Sequence, residues 1–255
     1  MRTQACASMG PGLTIKHYQS DFALKRMAQK CAAPELRVCP QEDLVIALFV
    51  HGMGRTPLSG WRLLHRLRRR GLKTTTFGYS VAFENCDAIV ARLRTRLSLL
   101  ATTDEYIVIG HSLGGVLLRA ALNALPPGSA LPRHVYLLGS PVLASRLATR
   151  LKNNWLYRAL AGDCGQLLGS AARMKAIGPL AVPTTGIVGL RGISGRYGPF
   201  GDEANDGLVS VSEANAPWLT SCVQVPVFHT LLPASALVAN IILQDVAQNA
   251  GKSIV

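Results

Sequence analysis

The segment YIVIGHSLGG, residues 106–115, constrains this chain more than any other. An apolar, partly β-branched run from Tyr106 to Gly110 leads straight into Gly110-His111-Ser112-Leu113-Gly114, and a helical pattern from Ser112 to Leu125 follows with no loop between them. Turning from strand to helix in so few residues forces Ser112 into a strained backbone conformation. It also brings residues 110 and 114 so close to neighbouring backbone that a side chain at either would clash, and both are glycine. The serine hydroxyl is thereby raised above a strand end at the head of a helix. A structural glycine-rich turn is the alternative reading.

Around this turn the chain alternates short apolar runs with longer helical patterns. Strands are expected at Leu44 to Val50, Lys73 to Tyr79, Tyr106 to Gly110, His134 to Gly139, Thr184 to Leu190 and Cys222 to Phe228. Helices are expected near Pro57 to Arg70, Cys86 to Ala101, Ser112 to Leu125 and Ala234 to Asn249. That order predicts an α/β fold, a mostly parallel central sheet with helices on both faces. Residues 42–255 form this domain and residues 1–41 an N-terminal extension, in which Asp21 to Cys31 has a helical pattern. Ser145 to Pro183 breaks the rhythm with Leu, Ala and Gly among scattered basic residues, and reads as a lid-like insertion near 145–183.

Composition narrows the function classes. Of 255 residues, 49% are apolar and 16% charged, enough to build a core, so the chain as a whole is not disordered. The apolar runs fall short of the roughly 18 residues of a membrane-spanning helix. Gln4, Ser8, Gly10, Pro11 and Gly12 interrupt any secretory h-region. The expectation is a cytoplasmic protein, at most peripheral to a membrane. Six cysteines, Cys6, Cys31, Cys39, Cys86, Cys164 and Cys222, are scattered without metal-ligand spacing and read as free thiols, although Cys31 and Cys39 would close a small loop in an exported protein.

The net charge of +13 invites a nucleic-acid reading. The densest basic cluster, WRLLHRLRRRGLK at 61–73, has Trp61, Leu63, Leu64 and Leu67 at helical spacing and Arg62, Arg66, Arg69 and Arg70 largely on the other side. This is a solvated helix face first and a contact for anionic membrane second. Nucleic acid is not expected as a partner, because no binding motif or interleaved aromatics accompany the charge.

Upstream, the strand ending at Val50 runs into His51-Gly52-Met53-Gly54. Backbone N–H groups at such a glycine-containing sheet edge are placed to meet a developing oxyanion, with Met53 and Leu113 as the two donors. Taken alone, the segment reads equally as a turn with no catalytic part.

With both motifs in hand, the sequence resembles the α/β-hydrolase lipases and esterases, especially bacterial triacylglycerol lipases with an HG(M/L) oxyanion loop and a GHSxGG turn. The resemblance covers about Leu44 to Asn249. It implies nucleophile, acid and histidine in that order along the chain, with the acid in a segment like Asn205-Asp206-Gly207-Leu208-Val209 and the histidine after the last strand, where His229 stands. Ser112, Asp206 and His229 all follow strands on one carboxyl edge and can converge there. Asp202 and Glu203 compete as the acid, behind Asp206.

The resemblance has limits. Related secreted lipases carry a calcium-binding carboxylate two residues after the histidine, but Leu231 stands there, so neither metal nor cofactor is expected, beyond a weak loop site at Asp202 and Glu203. The TPH or SPH sequence often found after the strand following the turn is Gly139-Ser140-Pro141-Val142 here. Of the other histidines, His17 and His134 read as surface or strand-edge residues, His65 as part of the basic helix, and His111 as packing behind the turn. The expectation is a serine hydrolase cleaving carboxylic esters of small-molecule or lipid type. Thioester or acyl-transfer chemistry on the same residues, or a noncatalytic basic binding scaffold, are the other readings.

Overall fold

The β-branched and aromatic residues that follow Val45 build strand β1 (Ile46–Val50), whose side chains alternate between two apolar layers. A computed structural model describes residues 45–102 and 105–250. The expected N-terminal extension, its helix at Asp21 to Cys31, the Leu44 end of the first strand and the Cys31/Cys39 loop lie outside these residues. Five further strands follow: β2 (Lys73–Phe77), β3 (Tyr106–His111), β4 (His134–Leu138), β5 (Thr184–Gly189) and β6 (Ser221–Val225). The sheet order is β2-β1-β3-β4-β5-β6, and every neighbouring pair is parallel. All carboxyl ends therefore meet at one edge.

Helices cover both faces, as a parallel sheet requires. Leu48 and Val50 point into a layer shared with α2 (Cys86–Leu100) and α3 (Leu113–Asn123). Ala47 and Phe49 point into the opposite layer with α1 (Trp61–Arg68) and α8 (Ala236–Ala250). Strand β6 stops at Val225 rather than reaching Phe228, because the next donor on the side of β5, Val227 N, turns back to Val225 O at 2.8 Å.

Two expectations need correction. Trp61 is not part of the buried stripe of α1: the stripe is Leu63, Leu64 and Leu67, while Trp61 is exposed beneath the Arg62 guanidinium, 5.5 Å from its ring. His134 is not a surface residue. Strand β4 lies inside the sheet, so its ring is buried, bonded to Thr185 Oγ1 at 2.8 Å and 3.4 Å from Asp245 on α8.

The segment 145–183 forms three helices, α4 (Arg146–Leu151), α5 (Trp155–Leu168) and α6 (Ala171–Ile177). Helix α5 is broken at Gly162, with φ 53° and ψ −148°. Before the break Trp155, Leu156 and Leu160 face solvent, and after it Cys164, Leu167 and Leu168 join the core. A short helix not expected from the sequence, α7 (Val211–Ala214), follows the Asp206 loop and starts with a Ser210/Glu213 capping box.

Candidate active site

Ser112 is the one non-glycine residue with positive φ among the described residues, at φ 53° and ψ −124°. Such a conformation costs about 1–3 kcal/mol and persists where its surroundings fix it. Here Ser112 N donates to Leu138 O at 2.9 Å and Gly115 N to Ser112 O at 3.0 Å. The glycine requirement is steric: a Cβ on Gly110 would stand 2.4 Å from Gly115 Cα, and one on Gly114 2.3 Å from Val50 O. Gly114 thus allows α3 to press against the end of β1, where the second motif begins.

In that motif the His51 ring is fixed at both nitrogens. Tyr79 N donates to Nε2 at 3.3 Å, so Nδ1 carries the proton and donates to Gly52 O at 2.9 Å. The Tyr79 ring stacks on His51 at 4.3 Å, and its hydroxyl donates to His51 O at 2.9 Å. Burial lowers the pKa of His51, against the opposing effect of its bond to Gly52, which favours the neutral ring this pattern needs. In a trans peptide the C=O and N–H point in opposite directions, so a Gly52 carbonyl held by His51 and by Arg55 N (3.2 Å) turns the Met53 N–H away from His51. Leu113 heads α3, and its N–H has no carbonyl to meet within the helix.

Asp206 and His229 form the third part. His229 Nδ1 lies 2.7 Å from Asp206 Oδ2, while Asp206 Oδ1 accepts from Leu208 N at 3.0 Å and Val209 N at 2.8 Å. His229 N also donates to Asp206 O at 2.9 Å. The residues are 1% and 4% exposed. A carboxylate acceptor at Nδ1 places the imidazole proton there and leaves Nε2 as a free lone pair. His111 sits behind this pair: its Nε2 donates to His229 O at 3.0 Å, and the rings lie 4.9 Å apart. Burial, with His229 beside it, pushes the His111 pKa down to about 3, against the raising effect of its bond to His229 O. Its Nδ1 is buried without a partner.

The competing acids are elsewhere. Asp202 is exposed. Glu203 pairs with Arg146 at 2.5 Å and accepts from Ser212 N at 2.9 Å. Burial raises its carboxyl, but the bonds from Ser212 and Arg146 outweigh that and bring it down to about 2. Among the described residues no group of three or more His, Cys, Asp or Glu side chains is placed to hold a metal ion.

Gly52, Met53, Ser112 and His229 line one cavity of about 250 Å³, whose far wall is Leu147, Ala148, Leu151, Tyr157 and Leu168 from α4 and α5, with Leu208 and Val209 beside the acid. The structure thus brings Gly52, Met53, His111, Ser112 and His229 to one cavity, with Asp206 bonded to His229. It adds two that were not expected. Tyr79 just follows β2, and nothing in its sequence context points to His51. Gly139, at φ 53°, lies where a Cβ would come within 2.8 Å of Asp206 Oδ2 and 3.0 Å of His229 Nδ1. A glycine closing an apolar strand was the available signal.

No protein-family profile and no curated protein sequence matches the chain. Solved structures do. The metagenomic carboxyl esterase MGS0156 superposes with a TM-score of 0.62 at 18% identity, over 88% of this chain and 81% of that one. The mature Bacillus licheniformis lipase BlEst2 gives 0.59 at 20% identity, over 81% and 93%. The RedJ thioesterase from Streptomyces coelicolor gives 0.52 at 15% identity, over 86% and 91%. The chain has the α/β-hydrolase fold, as its motifs led one to expect. No helix among the described residues is long and apolar enough to cross a membrane.

Proposed function

We propose that the protein is a serine hydrolase that cleaves carboxylic esters through an acyl-enzyme on Ser112. The observation that carries this reading is the meeting, on one cavity, of a strained Ser112 with a His229 whose Nδ1 is held by Asp206. Ser112 Oγ attacks the ester carbonyl carbon while His229 Nε2 takes its proton, and Asp206 stabilises the imidazolium. The N–H groups of Met53 and Leu113 receive the oxyanion, a contribution on the order of 10²–10³ in rate per donor in hydrolases of this kind. Collapse expels the alcohol, which leaves with the proton from His229. Water then repeats the cycle and frees the acid.

The apolar wall from α4 and α5 supports a hydrophobic acyl chain, with segment 145–183 in the role of a lid. The neighbouring structures named above are an esterase, a lipase and a thioesterase, and the turn around Ser112 would serve a thioester as well as an ester. The exposed Arg62, Arg69 and Arg70 around α1 would bring the enzyme to anionic lipid as a peripheral protein. A fluorophosphonate probe tests the central claim, since it labels activated serines. The parent protein should be labelled at Ser112 and the Ser112→Ala variant should not. An unlabelled, folded parent protein would leave a noncatalytic scaffold. Turnover of an ester, a thioester and an amide sharing one acyl group then ranks the chemistries, with the ester expected fastest.

A further inference from the structure

Cys86 and Cys164 are 78 positions apart and share no motif, yet their Sγ atoms lie 2.8 Å from each other in the core, with the residues 3% and 0% exposed. Cys86 is the first residue of α2, and Cys164 stands two residues past the break in α5. The approach is set by the backbone around them. Asp163, next to Cys164, accepts from Cys86 N at 3.0 Å and is clamped by Arg173 on α6 at 2.7 and 3.2 Å. The break is itself locked, since a Cβ on Gly162 would lie 2.6 Å from Val81 O. No side chain separates the sulfurs, and a covalent S–S bond of about 2.05 Å needs them to move less than 1 Å closer. Cys222, the other cysteine among the described residues, lies on β6, at the far edge of the sheet from β2.

We propose that Cys86 and Cys164 are a disulfide site that ties the segment 145–183 to the first turn of α2. The oxidant is a disulfide of the glutathione class or the Cys–Cys pair of a thiol oxidase. One cysteine thiolate displaces a thiol from it to give a mixed disulfide, and the second displaces the other thiol. Two protein S–H groups and the oxidant's S–S bond thus become one S–S bond in this chain and two thiols of the oxidant. In the reduced protein the S–H···S hydrogen bond to Cys164, together with burial, holds the Cys86 thiol well above its ordinary pKa, so exchange in the folded protein is slow. The bridge therefore forms before α5 docks and resists reduction afterwards. It fixes the rear half of α5 and with it Leu168 in the cavity wall.

The test uses the full chain, refolded in buffer containing reduced and oxidised glutathione, then denatured, alkylated without reductant and digested with trypsin. The peptides Thr74 to Arg92 and Ala159 to Arg173 each carry one cysteine. They should appear joined, lighter by two hydrogen atoms than their sum. Refolding in reductant instead should give a parent whose Tm is lower by roughly 5–15 °C, and should leave the Tm of a Cys86→Ala/Cys164→Ala variant unchanged. Should that variant fail to fold, Cys86→Ser and Cys164→Ser take its place, and each must lose the joined peptide. Both peptides alkylated as free thiols would overturn the proposal, as would either joined to another cysteine. A bridged parent with the same Tm as the parent refolded in reductant would overturn the claim that the bridge ties the insertion down.

Discussion

Replacing Asp206 by Asn removes one charge and keeps the shape, and the structure says why this should be crippling. The two carboxylate oxygens have different commitments: Oδ1 receives Leu208 N and Val209 N, and Oδ2 receives His229 Nδ1. Asparagine has one acceptor and one NH₂. Two backbone donors fix the acceptor on the loop side, so the NH₂ faces Nδ1. The ring must then carry its proton on Nε2, where it cannot receive one from Ser112. The opposite amide orientation would leave the part-buried Leu208 N–H and the buried Val209 N–H facing an NH₂, at about 1–3 kcal/mol each. At about 1.4 kcal/mol per tenfold, the competent arrangement is depopulated by roughly 30-fold to 10⁴-fold, and the imidazolium also loses its counter-charge. We expect kcat for a p-nitrophenyl ester to fall by about 10³–10⁴, in line with Asp-to-Asn changes in serine triads. Asp202→Asn, at an exposed loop position, should leave it within about twofold. Initial rates on protein with a checked Tm measure both. An Asp206→Asn enzyme that keeps a tenth of the parent rate, or a crippled Asp202→Asn, would refute this reasoning.

Other outcomes follow from single features. Ser112→Gly should abolish turnover yet raise stability by about 1–3 kcal/mol in chemical denaturation, because it relieves the positive φ. His111, with a folded pKa near 3 against about 6.5 when unfolded, stays neutral in the fold, so the unfolded chain binds more protons between those values. Its contribution is whole above pH 6.5 and is lost as pH falls towards 3, by up to about 1.4 kcal/mol per unit, and His111→Gln should flatten that part of a stability–pH curve. Activity should survive dialysis against a strong chelator. Changing Arg62, Arg69 and Arg70 to Gln should weaken binding to phosphatidylserine vesicles at low salt by roughly a hundredfold, at about 1 kcal/mol each, without altering turnover of a soluble ester. Equal vesicle binding would reduce α1 to a solvated face.

What was legible in the sequence was what local chemistry dictates. The turn around Ser112 could be read because sterics demand glycine at 110 and 114, and the strands because a buried parallel sheet needs continuous apolar runs. The Asp206–His229 pairing was legible only through likeness to other sequences, since 23 residues and a whole strand separate them. His134 was misread because its burial depends on β4 lying between two strands and on α8 bringing Asp245 across the chain. The contact of Tyr79 with His51 is set by β2 pairing beside β1, and that of Cys86 with Cys164 by how α2 and α5 dock; local pattern carries no trace of either.

The break at Gly162 also divides α5 by how its hydrogen bonds open. Residues 155–160 rest on little buried surface, whereas 163–168 are held by the core, by Asp163 and by Arg173. The two halves of one helix belong to separate cooperative units, the first able to unwind while the rest of the molecule stays folded. Amide hydrogens of the first half should exchange with solvent through that local opening, and those of the second only through excursions that disturb α2 as well. Opening of the first half and global unfolding are in this way governed by different free energies, although one helix takes part in both.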